Sequence, residues 1–335
     1  MATPATTMLT QWTTCGGCAA KWGATPLTQL VRELASPDHA DLLVGLAPFD
    51  DAAVYRLTDE LALVSTTDFF PPLVDDPTDF GAVAAANACS DVFAMGGRVT
   101  LALNIAAFPD LLPEETVAAV FAGAAAVVAE AGGVVAGGHT IRSEQPIFGL
   151  AVQGLVHPDR LLTKRGARPG DAVLLSKPLG TGIVLAGAGT EARAAVVAGM
   201  RVLNAEAATA LTAAGAATHA VTDVTGYGLA GHAWEVAERS GVAIWLDSAR
   251  LPLYPAAQQA AAAGVRTGGD ARNRQHLQGR FRSTAPDHLQ ALAVDPQTSG
   301  GLLAAVDPGA VEELVAQGFC CIGEVTAGAP GVTLG

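Results

Sequence analysis

The chain is poor in charged residues. Only 15% of its 335 residues are Asp, Glu, Lys or Arg, well under the roughly 25% of an average soluble protein. Lysine and arginine together number 19 against 32 acidic residues, which gives a formal net charge of −13. Because nucleic acids and anionic membranes are bound through basic surfaces, this balance argues against both as partners.

Long hydrophobic runs and disulfide-forming cysteines are also scarce. A membrane span needs about 20 consecutive apolar residues, and the best stretch, 116–129, is confined between Glu115 and Glu130. It is typical of an Ala-rich buried helix. The N-terminus shows no secretory leader, and five cysteines at positions 15, 18, 89, 320 and 321 form no disulfide framework. We therefore expect a cytoplasmic protein.

The hydrophobic pattern predicts an α/β (or α+β) protein of two domains, because runs of Val, Ile and Leu alternate with Ala-rich stretches. The predicted strands are 52–56, 61–66, 101–106, 147–155, 172–176, 242–246 and 301–306. The predicted helices are 79–95, 115–131, 192–213, 228–239, 255–263 and 309–317. A charged, turn-rich segment at 157–171 marks the boundary, and 264–288 is expected to be a long loop. The expected division is a flexible segment 1–25, a domain 26–157 and a domain 170–335.

The flexible segment carries the first candidate site, Cys15-Gly-Gly-Cys18-Ala-Ala-Lys21. A lysine three residues after a cysteine can lower the pKa of the thiol and so raise its thiolate fraction. The chain has only three lysines, at positions 21, 164 and 177, so the presence of one beside this pair of cysteines favours a role for it. A zinc half-site and a redox pair are disfavoured, since a second CxxC and the expected strand-helix context are missing. Catalysis and an inert tail remain equally open.

Carboxylates at the ends of predicted strands form the second candidate. Asp50 and Asp51 precede strand 52–56, Asp68 follows strand 61–66, Asp91 lies on helix 79–95, and Asp223 belongs to Thr222-Asp-Val-Thr-Gly226. Carboxylates that share a cleft can hold Mg²⁺, which prefers oxygen ligands and keeps part of its shell for water and phosphate. The alternative is helix or turn capping. We favour a metal or phosphate role for Asp50, Asp51 and Asp91.

The third candidate is Gly137-Gly138-His139-Thr140. A Gly-Gly turn at a strand end would expose backbone N–H groups to phosphate oxygens. The same pair is also an ordinary turn, and His139 could equally be a core histidine. No G-x-x-x-x-G-K-[ST] sequence occurs, which excludes a P-loop NTPase.

Seven segments together resemble the selenophosphate synthetase (selenide, water dikinase) family, in the same order and over residues 9 to about 325. They are Gly-Gly-Cys18-x-x-Lys21, Asp50-Asp51-Ala-Ala-Val-Tyr55, Ser65-Thr-Thr-Asp68-Phe-Phe, Asn87-Ala-Cys-Ser-Asp91-Val-Phe-Ala-Met-Gly-Gly97, Gly137-Gly138-His139-Thr140-Ile, Thr222-Asp223-Val-Thr-Gly-Tyr-Gly228 and Asp295-Pro-Gln-Thr-Ser-Gly-Gly301.

The resemblance implies the fold of aminoimidazole ribonucleotide synthetase, with two α/β domains and a homodimer whose N-terminal strands form a β-barrel. It also implies that ATP, selenide and water give selenophosphate, AMP and orthophosphate. The alternatives are another ATP-dependent enzyme of this fold, such as a thiamine-monophosphate kinase, or a non-catalytic nucleotide-binding scaffold. Another ATP-dependent enzyme of this fold would release ADP and not AMP.

The resemblance also assigns roles by position. Cys18 and Lys21 would be catalytic, and Asp51, Asp91 and Asp223 would hold Mg²⁺. The ATP contacts would be Lys21, Asp50, Asp68, Asp91, Gly138, His139 and Thr140, together with Pro48 and Phe49, which directly precede Asp50. A monovalent cation would be a further cofactor. The substrates would be ATP and selenide, and the selenium could arrive as free selenide or from a selenium-delivery protein.

Two positions depart from the family. Ala20 stands where many members carry a second cysteine, and Gly268-Gly269-Asp270 replaces Gly-Gly-Thr. The role of Cys15 and of the late loop therefore stays open.

Overall fold

A computed structural model gives the fold and describes residues 8–13, 16–20, 39–46 and 49–335. Two of the predicted site residues, Lys21 and Pro48, lie outside the described residues, as does Cys15. The described chain contains two sheets, one from each half of the sequence. This is the two-domain α/β architecture that the hydrophobic pattern predicts.

The first half forms a six-stranded mixed sheet. Its strands are β1 (Leu42–Val44), β2 (Ala53–Arg56), β3 (Ala62–Phe70), β4 (Arg98–Phe108), β5 (Val134–Arg142) and β6 (Ile147–Val156). They lie in the order β1-β2-β3-β6-β4-β5, and of these pairs only β4–β5 is parallel. The described sheet is open, with β1 and β5 at its edges, so it does not close into a barrel within one chain.

Two helices, α1 (Pro77–Ala94) and α2 (Glu114–Glu130), pack against this sheet and each other. They approach very closely, because a Cβ atom at Gly81 would lie 1.9 Å from the carbonyl oxygen of Val120, and one at Gly123 would lie 2.1 Å from that of Thr78. Every residue of α1 from position 80 to 90 is buried. The polar side chains of this stretch, Asn87 and Ser90, therefore face other parts of the protein and not solvent.

The second half forms a seven-stranded mixed sheet in the order β10-β13-β9-β12-β7-β11-β8. Its strands are β7 (Ala172–Leu175), β8 (Thr218–Asp223), β9 (Ala243–Leu246), β10 (Phe281–Ser283), β11 (Leu302–Val306), β12 (Cys320–Thr326) and β13 (Gly331–Leu334). Its helices are α3 (Thr181–Gly187), α4 (Thr190–Arg201), α5 (Ala205–Ala213), α6 (Gly228–Ser240), α7 (Ala257–Ala262), α8 (Asp270–His276), α9 (Asp287–Val294) and α10 (Val311–Ala316).

The two halves meet along α1. Asn87 accepts a hydrogen bond from the backbone N–H of Ser299 at 2.9 Å, and the side chain of Asn204 donates to Ser90 Oγ at 2.8 Å. An ion pair between Asp79 and Arg201 adds a partly exposed contact at 2.8 Å. The buried helix of the first half therefore forms one wall of the junction.

The predicted helix 192–213 is two helices, α4 and α5. The chain is extended at Val202, and the side chain of Asn204 turns inward to Ser90 and to the carbonyl oxygen of Gly300. Tertiary hydrogen bonds thus fix the break. In the described part of the chain no single helix is long and apolar enough to cross a membrane, although α4 and α5, bent by 50°, pass on length and composition as a pair.

The predicted loop 264–288 is wrong in detail, because it contains α8 and β10. Along α8, Asp270 pairs with Arg274 at 2.8 Å. Strand β10 forms by pairing in parallel with β13 at the end of the chain. That partner is about fifty residues away, so local periodicity carries no signal for it.

Candidate active site

Three carboxylates from both halves of the chain meet at the junction. Asp51 precedes β2, Asp91 lies near the end of α1, and Asp223 ends β8. One ligand oxygen from each lies within 4.8 Å of the other two. The structure therefore brings together the three residues that the sequence predicts as a metal set.

The surroundings of Asp51 leave one oxygen for a ligand. Its Oδ1 accepts from Thr222 Oγ1 at 3.0 Å and contacts Lys164 Nζ at 2.9 Å. Its Oδ2 is buried without a hydrogen-bond partner among the described residues. Asp91 in turn accepts from Thr66 Oγ1 at 2.5 Å. A buried carboxylate oxygen of this kind is costly unless a cation binds it, and an all-oxygen donor set suits Mg²⁺.

Lys164 supplies a fixed positive charge beside this cluster. Its Nζ also lies 2.8 Å from Glu235 Oε2, and both side chains are at least 93% buried. Burial acts to lower the pKa of Lys164, but Asp51 and Glu235 outweigh it and hold that pKa well above its ordinary value. Burial likewise opposes ionisation of Glu235, yet Lys164 and His232 keep the pKa of Glu235 low. Lys164 therefore forms two buried ion pairs, one with Asp51 and one with Glu235.

Asp50 and Phe49 lie beside Asp51 and Lys164. The Asp50 carboxylate accepts from the backbone N–H of Lys164 at 3.0 Å and from that of Asp51 at 3.0 Å. Burial, with the nearby Asp51 charge, raises the pKa of Asp50 to about 7. The Phe49 ring lies 4.4 Å from the guanidinium carbon of Arg239, a cation–π distance. Both residues border the carboxylate cluster, since Asp50 adjoins Asp51 and the Phe49 ring lies 5.8 Å from Lys164 Nζ. Contact with ATP stays a prediction for them.

The side-chain amide of Asn87 links Cys18 to Asp68, another predicted site residue. Cys18 Sγ lies 3.3 Å from Asn87 Oδ1, and Asn87 Nδ2 donates to Asp68 Oδ2. Asn87 stands one helical turn before Asp91 on α1. A line of polar groups thus runs from the thiol through Asn87 to Asp68.

The segment 16–20 is docked onto the protein as a short 3₁₀ turn. The backbone N–H of Gly17 donates to the carbonyl oxygen of Pro71 at 2.9 Å, and that of Cys18 to Thr298 Oγ1 at 3.1 Å. Arg272 donates to the carbonyl oxygen of Ala19 at 3.0 Å. Gly17 has φ +61°, a value that L side chains rarely adopt. Cys18 is consequently fully buried.

The predicted turn at Gly137-Gly138 is wrong, because both glycines lie inside β5. A Cβ atom at Gly138 would lie 2.3 Å from the carbonyl oxygen of Asn104, so close packing on β4 at an irregular register accounts for that glycine. His139 and Thr140 are exposed on the same edge strand, which lies three positions from β3 in the sheet order. Their contact with ATP stays a prediction.

Several residues of the site were missed by sequence reasoning. Lys164 lies within the segment read as a domain boundary, and Glu235 within a helix given no role. Thr298 and Ser299 belong to one of the seven matching segments, but nothing local to them indicates contact with Cys18. The scarcity of lysine was the signal that could have drawn attention to Lys164. Lys177 is also buried beside Ser299, and burial lowers its pKa to about 7.

Comparison with known proteins places these features in context. Residues 49–156 match the family described as AIR synthase related protein, N-terminal domain, and residues 168–334 match the corresponding C-terminal domain family. The chain is 44% identical to the selenide, water dikinase of Myxococcus xanthus, over 97% of this chain and 96% of that protein. It is 46% identical to that of Burkholderia pseudomallei, over 94% and 93% of the two chains.

Solved structures share the fold. A thiamine monophosphate kinase from Aquifex aeolicus has a TM-score of 0.66 at 19% identity, over 92% of this chain and 96% of that chain. A hydrogenase maturation protein, HypE, in complex with ATP has a TM-score of 0.61 at 18% identity, over 98% and 94%. At such identities the likeness concerns the fold alone.

Proposed function

The chain belongs to the selenide, water dikinase family, and from this premise we propose how its own residues carry out the synthesis of selenophosphate. The protein is a phosphotransferase that makes selenophosphate from selenide and water at the expense of ATP, with release of AMP and orthophosphate. The observation that supports this site best is the convergence of Asp51, Asp91 and Asp223 from both halves of the chain.

The carboxylates hold the metal in this proposal. Mg²⁺, when bound, neutralises triphosphate oxygens whose charge a protein at −13 would otherwise repel. Lys164 holds Asp51 Oδ1, so Asp51 Oδ2 would be the oxygen that binds the ion. Thr66 and Thr222 orient Asp91 and Asp51 by hydrogen bonds. The aspartates are thus held ready before the substrate arrives, which lowers the cost of binding.

Cys18 and Lys21 act on the selenium side of the reaction. The docked 3₁₀ turn places Cys18 near Asp68, an expected ATP contact, and excludes water around the thiol. Cys18 positions the selenium nucleophile, whether it arrives as free selenide or from a delivery protein. Lys21, three residues along, stabilises charge on the phosphoryl group in transfer. A reducing compartment such as the cytoplasm keeps the thiol available.

A second copy of the chain completes the first sheet in this proposal. Strand β5 is an edge of the sheet formed by the described residues, and its residues Val134 and Ile141 are 57% and 56% exposed. Phe69 and Leu103 are exposed on neighbouring parts of the same sheet. Apolar side chains on an unpaired edge favour association. We therefore assign the homodimeric barrel to this face, and light scattering of the parent and of Ile141→Asp tests it.

Product analysis tests the function. ATP turnover is followed with and without selenide, and AMP and ADP are quantified for the parent, for Cys18→Ser and for Cys89→Ser. Cys89 is the matched control, because it is buried on α1 and its pKa is raised to about 12 by burial. We expect selenide-dependent AMP in the parent and in Cys89→Ser, with only background in Cys18→Ser. Accumulation of ADP as the final nucleotide product would instead favour a kinase of the thiamine-monophosphate type.

A further inference from the structure

We propose that Asn87 is a positioning residue. It holds Cys18 as a neutral thiol against the turn at 298–299 and links the thiol to Asp68. This inference rests on the proposed role of Cys18 in selenophosphate synthesis. It assigns a function to a buried amide that is otherwise part of a helix core. Asn87 is fully buried in the middle of α1, where an amide is unfavourable unless each of its polar atoms is bonded.

The neighbours of Asn87 decide which way its amide points. The backbone N–H of Ser299 can only donate, and it lies 2.9 Å from Oδ1. The Asp68 carboxylate receives the hydrogen bond from Nδ2 on the opposite side. The atom 3.3 Å from Cys18 Sγ is therefore the acceptor Oδ1. An amide oxygen accepts but does not donate, so the sulfur must carry the proton in this contact.

The turn that meets Asn87 is itself rigidly held. Ser299 has φ +49°, a left-handed conformation unusual for a residue with a side chain. Its carbonyl oxygen accepts from Lys177 Nζ at 3.0 Å, and the next carbonyl, that of Gly300, accepts from Asn204 at 2.8 Å. Thr298 receives the backbone N–H of Cys18. Asn87 thus joins a fixed turn of the second half to the thiol that docks against it.

This arrangement has a consequence for reactivity. A thiolate, and not a thiol, is the nucleophilic form of cysteine. While Cys18 donates to Asn87 it is kept neutral and buried, so it reacts with an outside electrophile only after the segment leaves its dock. Losing the amide removes an acceptor from both Cys18 and Ser299, and the undocked fraction is expected to rise about tenfold.

Alkylation of Cys18 measures this directly. The full-length protein carrying Cys15→Ser is treated with iodoacetamide, and the modification rate at each remaining cysteine is followed by mass spectrometry. Asn87→Leu keeps the branched shape and the number of side-chain heavy atoms without any polar atom, and Asn87→Ala removes the amide altogether. We expect about a tenfold faster modification of Cys18 in both, together with about a tenfold loss of selenide-dependent AMP formation.

Two controls make the result specific. Ser90→Ala also removes a buried hydrogen bond between α1 and the second half, yet it does not touch Cys18. Cys89, buried on the same helix, reports whether α1 itself opens. The proposal is overturned by an unchanged Cys18 rate in Asn87→Leu, by an equal rise in Ser90→Ala, or by a matching rise at Cys89. A parent without selenide-dependent AMP would sink the proposed function and leave the alkylation result intact.

Discussion

Replacing Lys164 with methionine removes the charge that joins Asp51 to Glu235. The lysine Nζ lies 2.9 Å from the first carboxylate and 2.8 Å from the second. Because the methionine side chain has similar length, the packing changes little and two buried carboxylates lose their cation. Breaking a buried pair in this way costs about 3–5 kcal/mol, a large share of the roughly 5–15 kcal/mol that stabilises a typical protein.

Urea unfolding in metal-free buffer measures the loss. The double variant Lys164→Met/Glu235→Gln removes one of the stranded charges, so it is expected to recover about 1–2 kcal/mol relative to the single variant. Arg201→Met is the control, since its ion pair with Asp79 is partly exposed and such pairs contribute about 1 kcal/mol or less. A Lys164→Met protein no less stable than Arg201→Met would refute the reasoning, as would a double variant without recovery.

The same pair predicts a pH dependence. The pKa of Glu235 is lowered in the folded protein, so its contribution to stability is present above 4.5 and is lost as the pH falls below that value. The pKa of Lys164 is raised, so its contribution is present below 10.5 and is lost at still higher pH. Between these limits the contribution of the pair is constant. The difference in stability between the parent and Lys164→Met/Glu235→Gln, followed across this range, is expected to narrow only at the acid and alkaline ends.

Three further predictions concern the metal set, a buried acid and the docked turn. Asp91→Asn is expected to weaken Mn²⁺ binding about tenfold or more, as measured by electron paramagnetic resonance, because it removes one of three charged ligands. Asp295→Asn is expected to reduce the fall in stability as the pH rises from 3.8 to about 7, because burial raises the pKa of Asp295; a parent profile without that slope contradicts it. Gly17→Ala is expected to speed alkylation of Cys18 about tenfold, because φ is +61° and the added Cβ would lie 2.7 Å from Thr298 Oγ1.

Much of the fold follows from local pattern. The helix 79–95 and the strands around it were predictable, because Asp76 and Pro77 begin the helix and apolar alternation marks the strands. Strand β10 and the break at Asn204 were not, since each depends on a partner far along the chain. Gly137 and Gly138 look like a turn in sequence, yet both lie inside β5, where Gly138 packs closely on β4.

The candidate site also contains residues that could be predicted from the sequence and residues that could not. Carboxylates at strand and helix ends drew attention to Asp51 and Asp91, and the family resemblance added Asp223 to the metal set. The structure brings ligand oxygens of all three within 4.8 Å of one another. Lys164 could not be predicted, because its partner Glu235 is 71 residues away and the pairing exists only once both halves are folded. Asn87 could not be assigned to Cys18, 69 residues earlier, for the same reason.

Phosphorus NMR of the reaction with ATP and selenide tests the synthesis of selenophosphate by this protein, because one spectrum identifies every phosphorus product and its amount. We expect selenophosphate, orthophosphate and AMP to appear in equal amounts, none of them to form without selenide, and Cys18→Ser to yield no selenophosphate. Accumulation of ADP with a phosphorylated product other than selenophosphate, or full activity in Cys18→Ser, would contradict this expectation.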